Sequence, residues 1–258
     1  MTGGAGSLTL TALRGVPEVA PGSDLAALLA GAFGVSGIAL RAADVLVVAQ
    51  KIVSKAEGRY VALGSVTPQA RALELASITG KDARLIELIL AQSSEVLRAK
   101  RDVLIVRHRL GFVMANAGID RSNLAAADGV ERVLLLPEDP ERSATQLRTA
   151  LAARCGVTPG IIISDSFGRA WRRGVVNVAI GAAGVASLIN RRGERDRSGR
   201  PLEVTEVAHA DAIAAAAGLL MGEAAEGTPV VLVRGLAPRD AGTPAAALIR
   251  PLAEDLFR

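Results

Sequence analysis

The sequence predicts an α/β or α+β chain. Short β-branched apolar runs alternate with capped segments of helical length. Half of the 258 residues are hydrophobic, yet only 2% are aromatic. The core must therefore be built from Ala, Val, Leu and Ile, which pack closely between helices and buried strands. The alternation is too irregular for a barrel or a plain doubly wound sheet. The length suits one large domain or two small ones, and composition marks no boundary.

Taken in chain order, residues 8–13 (LTLTAL) alternate apolar and polar positions, the pattern of a half-exposed strand. A helix over 25–33 follows Asp24, a residue suited to capping it. Residues 44–49 form a β-branched run that reads as a buried strand. The stretch 82–97 places Leu85, Ile89 and Val96 on one face of an expected helix. A second buried strand is expected at 103–106. The best-signed helix is 141–155: Asp139 can cap it, Pro140 stands in the first turn and Gly156 ends it. Its apolar stripe is Ala144, Leu147 and Leu151. Residues 160–164 are a third buried strand, 205–223 a long Ala-rich helix, and 229–233 a fourth buried strand. The uncharged stretch 174–190 holds Asn177, Ser187 and glycines, and a spanning helix needs about 20 mostly apolar residues. It reads as protein interior rather than a membrane segment.

The net charge of +4 suits a protein that handles anions. It does not single out nucleic acid, and the scarcity of aromatics argues against single-strand binding. Cys155 is the lone cysteine, so no intrachain disulfide forms, which fits a cytoplasmic location. Residues 1–7 lack the pattern of a signal peptide. There is no P-loop and no GxGxxG fingerprint. With one Cys and two His, His108 and His209, a zinc site of the usual kind is not expected. Hard oxygen ligands remain, and these favour Mg²⁺ or Mn²⁺.

Residues 160–174 (GIIISDSFGRAWRRG) carry the most chemistry. Asp165, expected at the carboxyl end of a strand, stands beside Ser166, and a carboxylate beside a hydroxyl can hold Mg²⁺. Arg169, Arg172 and Arg173 could neutralise phosphate oxygens. The same residues also read as a strand-end turn with solvated arginines. In 115–123 (ANAGIDRSN), Asn116, Asp120, Ser122 and Asn123 form either an ordinary turn or a second carboxylate site. In 49–58 (AQKIVSKAEG), Lys51, Ser54 and Lys55 follow a strand, as anion contacts or as a solvated end. In 221–228 (MGEAAEGT), Glu223 could be a ligand and Gly222 and Gly227 permit close backbone approach, against the plainer reading of a helix cap. His209, Asp211 and Cys155 read as ordinary satisfied or packed residues.

Together VPEV, QKIVSKAEGR, NAGIDRSN, SDSFGRAWRRG, NVAIGAAG, the long Ala-rich segment ending MGEAAEG, and PVVLVRG resemble one family, the coenzyme F420:L-glutamate ligases, also called F420-0:γ-glutamyl ligases. The likeness runs over nearly the whole chain. It implies GTP-dependent amide formation in coenzyme F420 biosynthesis. The carboxylate of F420-0 is phosphorylated, L-glutamate attacks the acyl phosphate, and some members add further γ-linked glutamates. It also implies two Mg²⁺ or Mn²⁺ ions, a response to K⁺, a family-specific α/β fold, and an intertwined homodimer.

By position, Asp120 and Asp165 match the carboxylates of the first metal, and Ser166 and Glu223 match ligands of the second. Val16, Pro17, Glu18, Val19, Gln50, Lys55 and Asn123 match stretches that contact GTP. So do Met221, Gly222, Glu223, Ala224, Ala225, Glu226, Gly227 and Thr228. Ser166 stands where Thr is common, Glu223 where some members have Gln, and Gln50 where some bacterial members have Ser. Many actinobacterial members continue into a flavin-binding, nitroreductase-like domain. Residues 1–258 are expected to form the ligase module alone. Competing readings are a metal-dependent nucleotide hydrolase or kinase and, from charge alone, a nucleic-acid-binding domain.

Overall fold

The computed structural model describes residues 6–122, 129–237 and 242–255. In chain order these form β1 (Thr9–Ala12), α1 (Leu25–Ser36), β2 (Val45–Ala49), α2 (Gln50–Ala56), β3 (Tyr60–Ala62), α3 (Ala70–Thr79), α4 (Ala83–Ala91), β4 (Ser93–Lys100) and β5 (Val103–His108). There follow β6 (Val113–Ala115), β7 (Arg132–Leu134), α5 (Pro140–Cys155), β8 (Gly160–Arg169), β9 (Arg172–Ala183), β10 (Leu188–Asn190), β11 (Glu206–Ala208), α6 (His209–Met221) and β12 (Val230–Arg234).

The centre is a five-stranded mixed sheet in the order β1-β12-β2-β8-β9. Only β2 and β8 run parallel; the other pairs are antiparallel. Period-2 alternation explains why β2 and β12 are apolar throughout. Leu46, Val48, Ile161, Ile163 and Leu232 face a core shared with α1 and α5 through Leu29, Phe33, Leu147 and Leu151. Val45, Val47, Ile162, Val231 and Val233 face the other way, onto Ala210, Ile213, Ala214 and Ala217 of α6. A third cluster joins α3 and α4 to the β4-β5-β6 sheet through Leu75, Ile86, Ile89, Leu104 and Val106.

The caps read from sequence are present. Asp24 accepts from the Ala27 amide at 2.9 Å, Asp139 accepts from Arg142 at 3.0 Å, and Gly156 ends α5 in the left-handed region; Gly37, not singled out in the sequence, ends α1 the same way after Ser36, three residues beyond the expected 33. The stretch 174–190 lies in β9 and β10 and their connection, and among the described residues no helix is long and apolar enough to cross a membrane. Gly181, in the motif AIGAAG, has a physical reason. A Cβ there would collide with the Pro140 carbonyl, where the start of α5 packs against β9. Glu141 fastens the same junction by accepting from the Ala182 amide at 2.9 Å.

Three expectations are corrected. The helix over 82–97 ends at Ala91. Val96 lies on β4, because from Ser93 the backbone hydrogen bonds go to β5 instead of continuing the helix. The helix over 205–223 begins only at His209, since Glu206–Ala208 pair with β10, and it stops at Met221, leaving Glu223 in the following loop. The strand over 160–164 continues to Arg169, so Asp165 is a mid-strand residue rather than a strand end. It continues because β9 folds back on it as a hairpin turning through Ala170 and Trp171. The same hairpin carries Arg169, Arg172 and Arg173 to an exposed tip, away from the cleft described below.

Candidate active site

A cleft of about 850 Å³ opens where β2 and α6 end, over the middle of β8 and beside the turn that follows β6. Its walls come from segments far apart in sequence. They are Val16, Pro17, Glu18 and Val19 before α1, Gln50, Lys51 and Lys55 on α2, Asp120 and Ser122 after β6, Asp165 and Ser166 on β8, and the loop from Met221 to Thr228 after α6. Every residue matched by position to the family's metal and nucleotide contacts lines it except Asn123, which lies outside the described residues, whereas the candidates Ser54, Asn116, Arg169, Arg172 and Arg173 do not line it.

Strand geometry explains how adjacent residues serve different partners. Successive side chains on β8 point to opposite faces. Asp165 therefore points to the face of Ile163 and Phe167, where the Gln50 side chain hydrogen-bonds its carboxylate. Ser166 points to the face of α6 and donates to Glu223 at 2.8 Å. Just before this pair the ladder shifts register, from Ile163 opposite Gly181 to Ser164 opposite Ala179. The extra residue, Ile180, lies on β9, so β8 keeps its alternation through Asp165 and Ser166.

Asp120 is fixed by backbone first. Its amide and carbonyl exchange 2.9 Å hydrogen bonds with Leu134. The turn leading to it passes through Asn116, Ala117 and Gly118, all at positive φ (53°, 53° and 66°). For the two non-glycine residues this costs about 1–2 kcal/mol each. Strain of this kind persists where surrounding structure over-determines it, and it clusters at functional sites. Asp120 Oδ1 accepts from the Ser122 amide at 2.7 Å and its hydroxyl at 2.8 Å, while Oδ2 meets Lys51 Nζ at 2.6 Å.

The two aspartates are tuned oppositely. Burial pushes the Asp165 carboxyl up, and the nearby Asp120 and Glu223 push it further, to about 7, although the Ser166 amide and Gln50 favour its charged form. Burial also raises Asp120, but hydrogen bonds from Lys51 and from the amide and hydroxyl of Ser122 outweigh it and hold this carboxyl below its usual value. One carboxyl poised near neutrality beside one held ionised is characteristic of a functional site.

Gln50 is only 5% exposed and also accepts from Ser54 at 2.9 Å, so it braces Asp165 as well as lining the cleft. Lys55 is buried and paired with Glu18, tying the 16–19 segment to α2. Glu226 folds back onto the amides of Ala224, Glu226 and Glu223, which lower its pKa, and Gly222 leaves the space its carboxylate fills.

The donor set is chemically suited to a hard divalent cation: three carboxylates and a hydroxyl, all oxygen. The mutual repulsion that raises Asp165 is what a cation would relieve. Among the described residues, no three His, Cys, Asp or Glu side chains already stand in ligating geometry. Asp120 is engaged by Lys51, and Glu223 by Ser166. Two participants have roles that the sequence reading did not specify. Lys51 could be seen only as an anion contact or a solvated strand end, because its partner is far along the chain. Buried Asn177, on β9 opposite Ser166, lines the floor beside Met221; the sequence showed it only as a polar residue of the 174–190 stretch and the first residue of NVAIGAAG.

The model of the F420-0:gamma-glutamyl ligase family matches residues 15–235. The chain belongs to this family. The coenzyme F420:L-glutamate ligase of Methanopyrus kandleri is 45% identical over 260 residues, spanning 98% of this chain and 100% of that protein. The ligase of the same name from Methanothermobacter thermautotrophicus is 44% identical, over 97% of this chain and 99% of its own. That of Methanocaldococcus jannaschii is 40% identical over 83% of this chain and 84% of its own. The family match spans all five cleft-forming segments, from the 16–19 strip to the loop after α6.

Proposed function

We propose that this chain ligates L-glutamate to coenzyme F420-0 at the expense of GTP, through an acyl phosphate, with two Mg²⁺ or Mn²⁺ ions bound between Asp120, Asp165, Ser166 and Glu223. The observation that carries the reading is the convergence of five separate family motifs on one cleft large enough for a nucleotide and a second substrate. K⁺ is a further cation proposed from the resemblance, as is the homodimer.

In this reading the 16–19 strip, Lys55 and the 221–228 loop hold the nucleotide. Before a cation binds, Asp120 is held ionised by Lys51 and Ser122, and Asp165 is fixed by Gln50 and the Ser166 amide. The bound cations supply charge neutralisation among phosphates and carboxylates that would otherwise repel. The cleft walls shield the acyl phosphate from water, so that the glutamate amine attacks it. Amide formation releases phosphate.

The test separates ligase from hydrolase. Phosphate release from GTP with Mn²⁺ should require both F420-0 and L-glutamate. Release at an equal rate with neither present would refute the ligase reading and favour a nucleotide hydrolase.

A further inference from the structure

Lys51 lies in the first turn of α2, directly after β2, and reaches across the cleft to a residue distant in sequence. Its ammonium contacts Asp120 Oδ2 at 2.6 Å and Ser122 Oγ at 3.0 Å. The other carboxylate oxygen, Oδ1, is saturated by the amide and hydroxyl of Ser122. Oδ2 is thus the oxygen through which Asp120 can take a cation, and a tethered cation already sits there. The Lys51 side chain keeps 26% of its exposure, so its four-carbon stem has room to move. Lys55 contrasts with it: its side chain is only 8% exposed, and it pairs with Glu18 on the opposite strip.

We propose that Lys51 is a positioning residue that occupies Asp120 in the metal-free site and is displaced when a divalent cation binds there. Its ammonium then turns to the phosphoryl oxygens of the nucleotide in the same cleft. The proposal rests on reading Asp120 as a metal ligand. A divalent cation and an ammonium repel strongly at contact distance, so both cannot hold Oδ2. Until displacement, the pair keeps the strained 116–120 turn and α2 in register without a metal. Afterwards, a point charge with three donors faces the anion that the cleft must bind.

The test is Mn²⁺ binding to the full chain without nucleotide, followed by the electron paramagnetic resonance of free Mn²⁺. Lys51→Met keeps the stem and removes the charge. It should bind Mn²⁺ about fivefold more tightly than wild type, the scale of a partly exposed ion pair. Lys51→Arg should stay within about twofold of wild type. With saturating Mn²⁺, Lys51→Met should bind GTP more weakly by a similar factor and guanosine unchanged. Equal or weaker Mn²⁺ binding by Lys51→Met would overturn the proposal. Absence of Mn²⁺ binding in wild type would instead overturn the metal reading of Asp120 itself. Should thermal melts show Lys51→Met unfolded, Lys51→Gln is judged by the same criterion.

Discussion

Replacing Asp165 with Asn tests whether the site is built around destabilising charge. In the metal-free protein the Asp165 carboxyl is raised from 3.8 to about 7 by burial and by Asp120 and Glu223. The folded state thus prefers the neutral form, whereas the unfolded chain ionises near 4. The cost of the charge is absent below about pH 4, grows as pH rises toward 7 and is complete above it. A shift of about three units at 1.36 kcal/mol each gives about 4 kcal/mol. Asp165→Asn removes this term. The stability of the variant minus that of wild type should therefore rise by about 4 kcal/mol between pH 4 and pH 8. Other titrating groups largely cancel in the difference. Urea unfolding in EDTA across that range measures it. Added Mn²⁺ should restore stability to wild type at pH 8 and do little for the variant. A difference that stays flat with pH would refute the reasoning, because Asp165 would then not be a buried charge awaiting a partner.

Other outcomes follow from single features. Asp120→Asn should lower glutamate ligation at least about a hundredfold with the fold retained, since loss of metal-assisted charge stabilisation is worth several kcal/mol; near-normal product formation would contradict the metal role. His108 is buried, and burial followed by the charges of Arg109 and Arg59 lowers its pKa from 6.5 to about 4. The unfolded chain therefore takes up a proton first, and the stability of wild type minus that of His108→Gln should fall by about 3 kcal/mol as pH falls from 6.5 to 4, read in acid titrations of both proteins. Gly181→Ala should destabilise by about 1–3 kcal/mol in urea melts, because its Cβ meets the Pro140 backbone, which cannot rotate away.

Much of the fold is legible in the sequence. Asp24, Asp139, Pro140 and Gly156 delimit helices by local chemistry, and the structure uses each as expected. The apolar runs at 44–49 and 229–233 are central strands buried on both faces, which is why they lack alternation. Misreadings arose where tertiary pairing overrode local pattern. Val96 fits a helical stripe but lies on β4, because the β5 backbone takes the hydrogen bonds that a further helical turn would have used. Asp165 looked like a strand end because polar residues follow three isoleucines. Those residues instead alternate between two faces of a longer hairpin. The candidate site was legible as a residue set through its motifs, whereas its internal logic was not. Sequence says nothing of Lys51 meeting Asp120, or of Gln50 bracing Asp165, since each pair joins segments far apart in the chain. The arginines of GRAWRRG carry the motif, yet they stand at a hairpin tip outside the cleft.

The central claim is that the cleft joining Asp120, Asp165, Ser166 and the 221–228 loop makes an amide between F420-0 and glutamate. Mass spectrometry of F420-0 incubated with the protein, GTP, Mn²⁺ and L-glutamate tests it most directly. The expected result is a product heavier by one glutamyl residue, formed only when GTP and glutamate are both present. Unchanged F420-0 under those conditions, from protein shown to be folded, would contradict the claim.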